Sequence, residues 1–230
     1  MPDGVPPLTE QTRAEAREII ARYPRSRSAL LPMLHLVQSV QGYVSPQGIA
    51  LCSEELGLTK AEVGAVATFY SMYRRRPAGT YHVGVCTNTL CAVLGGDAIF
   101  AALKEHLGVG HNETLHDGTV SLEHIECNAA CDYAPVVMVN WEFYDDQTPQ
   151  SARDLVDALR AGTPPPPTRG PGSLPTFKET SRVLAGFNDG RGREGVAAGP
   201  ASLVGLELAR QRGEQAPAYP AESADTGQGA

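Results

Sequence analysis

No stretch of eighteen or more apolar residues occurs in this chain of 230 residues, so no segment reads as a membrane-spanning helix. Positive charge is not in excess: 19 Lys and Arg stand against 26 Asp and Glu, a net charge of −7, which argues against nucleic acid as a partner. A Gly-rich phosphate loop is missing, because GTYHVGVC and GVGHNE lack the fingerprint of glycines between strand and helix. No nucleophile or general base has a credible catalytic setting. RYPRSR followed by ALLPMLHLV has the order of a secretion signal, but it starts more than twenty residues in, and Pro32, His35 and Gln38 interrupt it. It reads as a buried helix. Cysteine is scarce and odd in number, at five. A secreted disulfide scaffold would be shorter and its cysteines would pair off. Here four fall in two close pairs, Cys86 with Cys91 and Cys127 with Cys131. Cys52 stands alone on an apolar helix face, as a buried structural thiol would. That usage favours a reducing compartment and a metal-binding role.

The length allows one large or two small domains with a sizeable core. Residues 1–7 read as a disordered lead. Thr12 and Glu15 suggest a capping box for a helix ending near Tyr23, before Pro24. Leu30, Leu31, Leu34, Val37 and Val40 recur at helical spacing up to Gly42. Ser45-Pro46 starts a third helix that ends at Gly57. Thr59 and Glu62 form a second capping box, and Val63, Val66, Ala67 and Tyr70 give the fourth helix its stripe. Residues 8–77 thus read as a helical N-terminal domain whose helices are too short to stand alone. The run Arg74–Arg76 is either a solvated charge run or a contact for an acidic partner surface.

The period then changes to two. Tyr81, Val83 and Val85 alternate with His82 and Gly84, which predicts a half-buried strand delivering Cys86. Residues 95–107 read as a helix packed through Ile99, Leu103 and Leu107. Asp117-Gly118 is a hairpin-type turn, and Val120 to Ile125 is a second strand delivering Cys127. VVMV and WEFY form a hairpin turning near Asn140. Thr148-Pro149 opens a last helix with Leu155, Val156 and Leu159 inward. Residues 78–161 therefore read as an α/β domain. From Gly162 the composition shifts, and residues 161–230 hold 9 of the 18 prolines and 12 of the 24 glycines. That is a stiff spacer and tail with too little apolar surface for a core. Two islands, TFKETSRVLAGF and ASLVGLELARQR, are expected to form short helices only against a partner.

The cysteine spacings are C-x4-C, then 35 residues, then C-x3-C. Four soft thiolates suit zinc or an iron–sulfur cluster, and one pair on each of two loops matches the two thiolates per iron of a [2Fe–2S] cluster. Structural zinc and a pair of redox disulfides stay open on spacing alone; the plant-type ferredoxin spacing is absent. The loop residues Thr87, Asn88, Thr89, Asn128, Ala129 and Ala130 are small or polar. They would let backbone N–H groups approach sulfur and stabilise the reduced state, whereas seven acidic residues against Arg153 alone between Glu126 and Asp157 would oppose it.

CTNTLC…IECNAAC…APVVMVN resembles the thioredoxin-like [2Fe–2S] ferredoxin family. VATFYSMYRRRPAGTYHVGVC, with the helices before it, resembles the branch found in proton-pumping NADH–quinone oxidoreductases. The likeness covers about residues 10–160 and resumes at TRGPGSLPTFKETSRVLAGF. It implies an α/β, thioredoxin-like [2Fe–2S] domain behind a helical N-terminal domain; the composition of residues 162–230, a stiff spacer with apolar islands, reads as an extended arm and tail docking on a partner. The resemblance also implies that Cys86, Cys91, Cys127 and Cys131 ligate one cluster. The expected partners are a flavin subunit that carries FMN and binds NADH, and a large iron–sulfur subunit. The chain itself would have no catalytic site, bind no NADH and insert in no membrane, sitting peripherally on the cytoplasmic side. The equivalent subunit of a soluble NAD-dependent hydrogenase or formate dehydrogenase is a near alternative, and a zinc-binding assembly protein a distant one. Two positions depart from the family's habit: Asn128-Ala129 stands where Leu-Gly is frequent, and Leu90 where proline is.

Overall fold

The computed structural model describes residues 5–196 and 198–217; the rest of the expected lead and the end of the tail lie outside them. The chain divides into two compact units, residues 1–197 and 198–230.

The first unit begins with four helices, α1 (Glu10–Ala21), α2 (Leu30–Gln41), α3 (Pro46–Leu56) and α4 (Lys60–Phe69). Local chemistry sets most of their ends. Gly42 and Gly57 terminate α2 and α3 in the left-handed conformation, which costs glycine nothing. Ser45 caps α3 by accepting from the Gly48 N–H at 3.0 Å. Thr59 and Glu62 close a reciprocal capping box on α4. The box expected from Thr12 and Glu15 does not form: α1 starts after Thr9, and the Glu15 carboxylate instead takes two bonds from Arg182, at 3.0 and 3.1 Å. Ile19, Leu34, Leu36, Val37, Leu51 and Val63 form the helical core together with Cys52, whose thiol burial pushes up to about 12.

His35 sits within this core, its ring 4.8 Å from that of Tyr73, and its Nδ1 has no partner among the described residues. Burial alone drives its pKa down to about 4. The folded chain therefore refuses a proton that the unfolded chain accepts below about pH 6.5. The stability held above that pH falls as the medium is acidified, and this loss stops near pH 4. The span corresponds to roughly 3 kcal/mol. Urea midpoints at about pH 7.5 and about pH 4.5 should lie closer together in His35→Leu than in the wild type; an unchanged gap would refute this.

The sheet follows. Its strands β1 (Tyr81–Cys86), β2 (Glu113–Thr114), β3 (Val120–Ile125), β4 (Val137–Val139) and β5 (Glu142–Tyr144) lie in the order β2-β3-β1-β4-β5. β1 runs parallel to β3, with Cys86 opposite Ile125, and antiparallel to β4. Between β1 and β2 come α5 (Thr89–Val93), a short helix the periodicity did not predict, and α6 (Gly96–Leu107). α7 (Pro149–Arg160) follows β5 and packs beside α6. Val83, Val85, Ile99, Leu103, Leu122 and Val156 form this second core. The expectation of a half-buried β1 fails: residues 82–86 are all buried. The face carrying His82 is covered by the rings of Trp141 and Phe177, with centroids 5.1 and 6.1 Å away. Neither is near in sequence, so alternation could not reveal the cover.

Phe177 comes from the returning arm. Residues 162–175 are largely extended, with Arg169 bridging to Phe143, and α8 (Phe177–Leu184) lies along α2. Phe177 is 2% exposed and Ala185 fully buried. Lys178 donates to the Val40 carbonyl at 3.0 Å, and Gln38 donates to the Ser181 hydroxyl at 3.2 Å. The island expected to order only on a partner is thus covered by this chain's own helices. The spacer is long enough to bring it back, which composition does not reveal. The second unit contains α9 (Pro200–Gln211), none of whose residues is buried. Among the described residues no helix is long and apolar enough to cross a membrane.

Candidate metal centre

The parallel pairing of β1 and β3 ends both strands at the same edge of the sheet, so the segments that follow them meet there. Cys86 is the last residue of β1, and Cys127 lies two residues beyond β3. Cys91 is lifted into place by α5, whose first N–H, on Thr89, is capped by the Asn88 side chain at 3.0 Å. The other end of that amide donates to Glu126 at 2.9 Å, tying the first cysteine loop to the second. Cys131 opens a single turn at Cys131–Tyr133.

The four cysteines fall as two pairs on the segments that follow β1 and β3. Cys86 and Cys91 are buried. Cys127 and Cys131 are exposed, with their sulfurs 3.7 Å apart. Burial, and then the proximity of Cys86, push the Cys91 thiol up to about 11, against a hydrogen bond from the Val136 backbone. Cys131 is raised first by its hydrogen bond with Cys127, and more weakly by burial and by Cys86 and Asp132. Thiolates this crowded repel one another unless a cation lies between them.

Iron fits these donors. Four free cysteines are soft ligands. A backbone N–H already points at one of the sulfurs, Ala129 at Cys127, 3.4 Å away. Beside the second pair, Asn128 keeps a buried Nδ2 donor without an acceptor among the described residues. Ala129 has φ +54°, the left-handed conformation glycine adopts freely, so the loop keeps its path where the family often has glycine. Cys86 with Cys91 on one segment and Cys127 with Cys131 on the other offer two free thiols apiece, as a pair of irons needs. The sulfur separation of Cys127 and Cys131 is also well beyond a disulfide bond.

Several contributors escaped the sequence reading. Gly96 packs so tightly that a Cβ there would lie 2.4 Å from the Cys86 carbonyl oxygen and 2.9 Å from that of Cys91. Arg169, from the arm, pairs with Asp145 at 2.7 Å and Asp132 at 3.7 Å, and its guanidinium lies over the rings of Tyr133 and Phe143. The acidic stretch that looked uncompensated therefore receives a cation from 24 residues downstream of Asp145. His82 turns to Glu123 at 2.9 Å and not to a sulfur.

Two parallel strands that each hand a cysteine pair to one edge of a small mixed sheet build a protein for carrying electrons, and the chain belongs to the thioredoxin-like [2Fe-2S] ferredoxin family, whose model matches residues 16–160. The cofactor of that family is a [2Fe–2S] cluster. Among its relatives, the chain is 62% identical over 221 residues to the E-type subunit of the NADH-quinone oxidoreductase of Mycobacterium tuberculosis, a match covering 95% of this chain and 87% of the relative. It is 37% identical over 148 residues to NADH-quinone oxidoreductase subunit 2 of Thermus thermophilus, covering 63% of this chain and 82% of that one. Among solved structures, an NAD+-reducing [NiFe]-hydrogenase chain superposes with a TM-score of 0.53 at 21% identity, over 59% of this chain and 23% of the hydrogenase chain. That likeness is one of fold.

Proposed function

We propose that this chain is the electron-transfer subunit of an NADH–quinone oxidoreductase, taking single electrons from FMN on a neighbouring NADH-binding subunit. Its cluster would be ligated by Cys86, Cys91, Cys127 and Cys131. The observation that carries the reading is a cysteine pair on each of the two segments that follow the parallel strands β1 and β3, with the Cys127 and Cys131 sulfurs 3.7 Å apart. It is joined by 62% identity to a subunit of such an oxidoreductase. Bound there, the cluster supplies a centre that gains and loses one electron at a time.

The chain's own residues set the conditions. Cys86 and Cys91 hold the centre from inside the fold, while Cys127 and Cys131 hold it at the surface, the side on which a donor can approach. The N–H group of Ala129 stabilises negative charge on the Cys127 sulfur. Arg169 offsets Asp132 and Asp145. Residues 8–77 serve as the helical domain, 78–161 as the cluster domain, and 162–230 as an arm. In that arm α8 is a clasp on the chain's own helices, and α9, with Leu203, Val204 and Leu206 exposed, docks on a neighbouring subunit. The protein works peripherally on the cytoplasmic face of the membrane, beside the flavin subunit and the large iron–sulfur subunit. The hydrogenase fold likeness gives a second reading, the same module in a soluble NAD-linked enzyme, which neighbouring genes for membrane subunits would exclude.

Purified anaerobically, the wild type should be red-brown and give an electron-spin signal after dithionite. Cys127→Ala and Cys86→Ala should each lose most of the absorbance per chain. A colourless, spin-silent protein containing zinc would overturn the proposal.

A further inference from the structure

A cleft of about 620 Å3 lies between the end of α4 and the sheet edge, lined in part by Tyr70, Arg74, Arg75, Arg76, Asn112 and Glu123. Its charges are not equivalent. Arg74 is spent inside the fold, bonding Glu123 and Asn112 at 2.6 Å each. Glu123 is shared with His82. Arg75 and Arg76 are exposed, and among the described residues neither has a carboxylate partner. In a chain of net charge −7, this cleft presents two uncompensated guanidinium groups. At its mouth Phe69 is 80% and Tyr70 46% exposed, stacked edge to face with centroids 5.0 Å apart. A second hollow of about 270 Å3 shares Ser71 and Glu123 with the cleft and reaches Cys127 and Asn128. Two adjoining hollows therefore form a groove from the arginines to Cys127.

We infer that this groove docks an acidic surface segment, carrying an apolar side chain, of the protein that delivers electrons to the cluster. The inference rests on the proposed function and adds where the partner sits. Exposed aromatics beside arginine are the composition of interface hot spots. Unpaired guanidinium groups select carboxylates in pairs. Continuity with Cys127 brings such a partner to the face from which electrons must come. A free nucleotide fits less well: the cleft meets the C-terminal end of α4, whose dipole repels concentrated phosphate charge.

The test uses the whole complex, captured through a tag on this chain. R75E/R76E should recover at least tenfold less flavin subunit per chain, read as FMN fluorescence, with an unchanged electron-spin signal. F69S should recover less, and R25E/K60E, the same charge change elsewhere, as much as the wild type. Wild-type recovery should also fall as salt rises. Undiminished capture by R75E/R76E overturns the inference alone. A wild type that keeps its signal yet captures no flavin subunit overturns the functional reading, and the inference with it. Binding of NADH to the full wild-type chain that R75E/R76E abolishes would reassign the cleft to a nucleotide and also overturn the inference.

Discussion

Gly96→Ala is expected to empty the metal centre without touching a ligand. Gly96 is the first residue of α6, and its Cα faces the backbone of both cysteines of the buried pair. An added methyl carbon would lie 2.4 Å from one carbonyl oxygen and 2.9 Å from the other. These are backbone atoms, so no rotamer change relieves the overlap, and either α6 or the Cys86–Cys91 loop must move. A shift of a few tenths of an ångström in that loop is enough to misalign two of the four proposed ligands, whose bonds to metal would tolerate about 0.2 Å. Overpacking of this kind costs about 1–3 kcal/mol in a well-packed region. We expect a stability loss in that range and cluster content reduced by tenfold or more, read as visible absorbance per chain. Gly96→Ala with full absorbance would show that the loop adapts. Gly95→Ala is an informative neighbour, since its Cβ would meet nothing within 4 Å but its φ is +115°; it tests backbone strain where Gly96 tests contact.

Asn140→Ala is expected to be the most destabilising single change away from the cysteines. Asn140 is fully buried and turns the β4–β5 hairpin at φ +50°. Its side chain accepts from the His82 N–H at 2.7 Å and donates to the carbonyls of Thr80 and Pro175 at 3.1 and 2.8 Å. One amide thus joins the central strand, the hairpin and the arm. Alanine leaves the buried His82 N–H and the Pro175 carbonyl unpaired, each worth about 1–3 kcal/mol, while the Thr80 carbonyl keeps the Phe177 N–H at 2.9 Å; it also retains a left-handed conformation costing a residue with a Cβ about 1–2 kcal/mol. The expected loss is roughly 3–5 kcal/mol, measured by urea unfolding, with faster tryptic cleavage at Arg169 and Lys178 as the arm loosens. Asn140→Gly removes the conformational cost but not the missing bonds, so it should recover only about 1 kcal/mol of the loss. Full recovery would mean that backbone strain, and not the hydrogen bonds, dominates.

Both positions show how far residue patterns reach. Asn140 was legible as a turn, because two apolar runs meet there, but its three partners come from segments up to 60 residues away. Gly96 was legible only as part of a Gly-Gly start to a helix; that it abuts two cysteine carbonyls depends on how α5 folds. The cysteine pairs themselves were legible, since each follows a β-type run and the soft-ligand chemistry is a property of residue type. The resemblance carried by the cysteine loops then reached the family, and the match over residues 16–160 establishes it.

Local rules settle what local forces control. Ser45, Thr59, Gly42 and Gly57 set helix ends because capping involves only the next few backbone groups, and residues of β1 and β3 show their strand character in their own spacing. Long-range choices were left to tertiary structure. Glu15 had an apparent capping partner three residues away, yet bonds Arg182 across the fold, because α1 starts after Thr9 and Thr12 lies inside the helix with no free N-cap N–H to offer. TFKETSRVLAGF was legible as a short helix, but whether Phe177 would be buried by this chain or by another depended on where the spacer led. Arg169 likewise reaches the acidic loop only once the arm has returned. The sequence alone determined the ligand chemistry and the elements that carry it; the packing of the arm decided the electrostatics around the ligands, because charge interactions depend on distance in space and not along the chain.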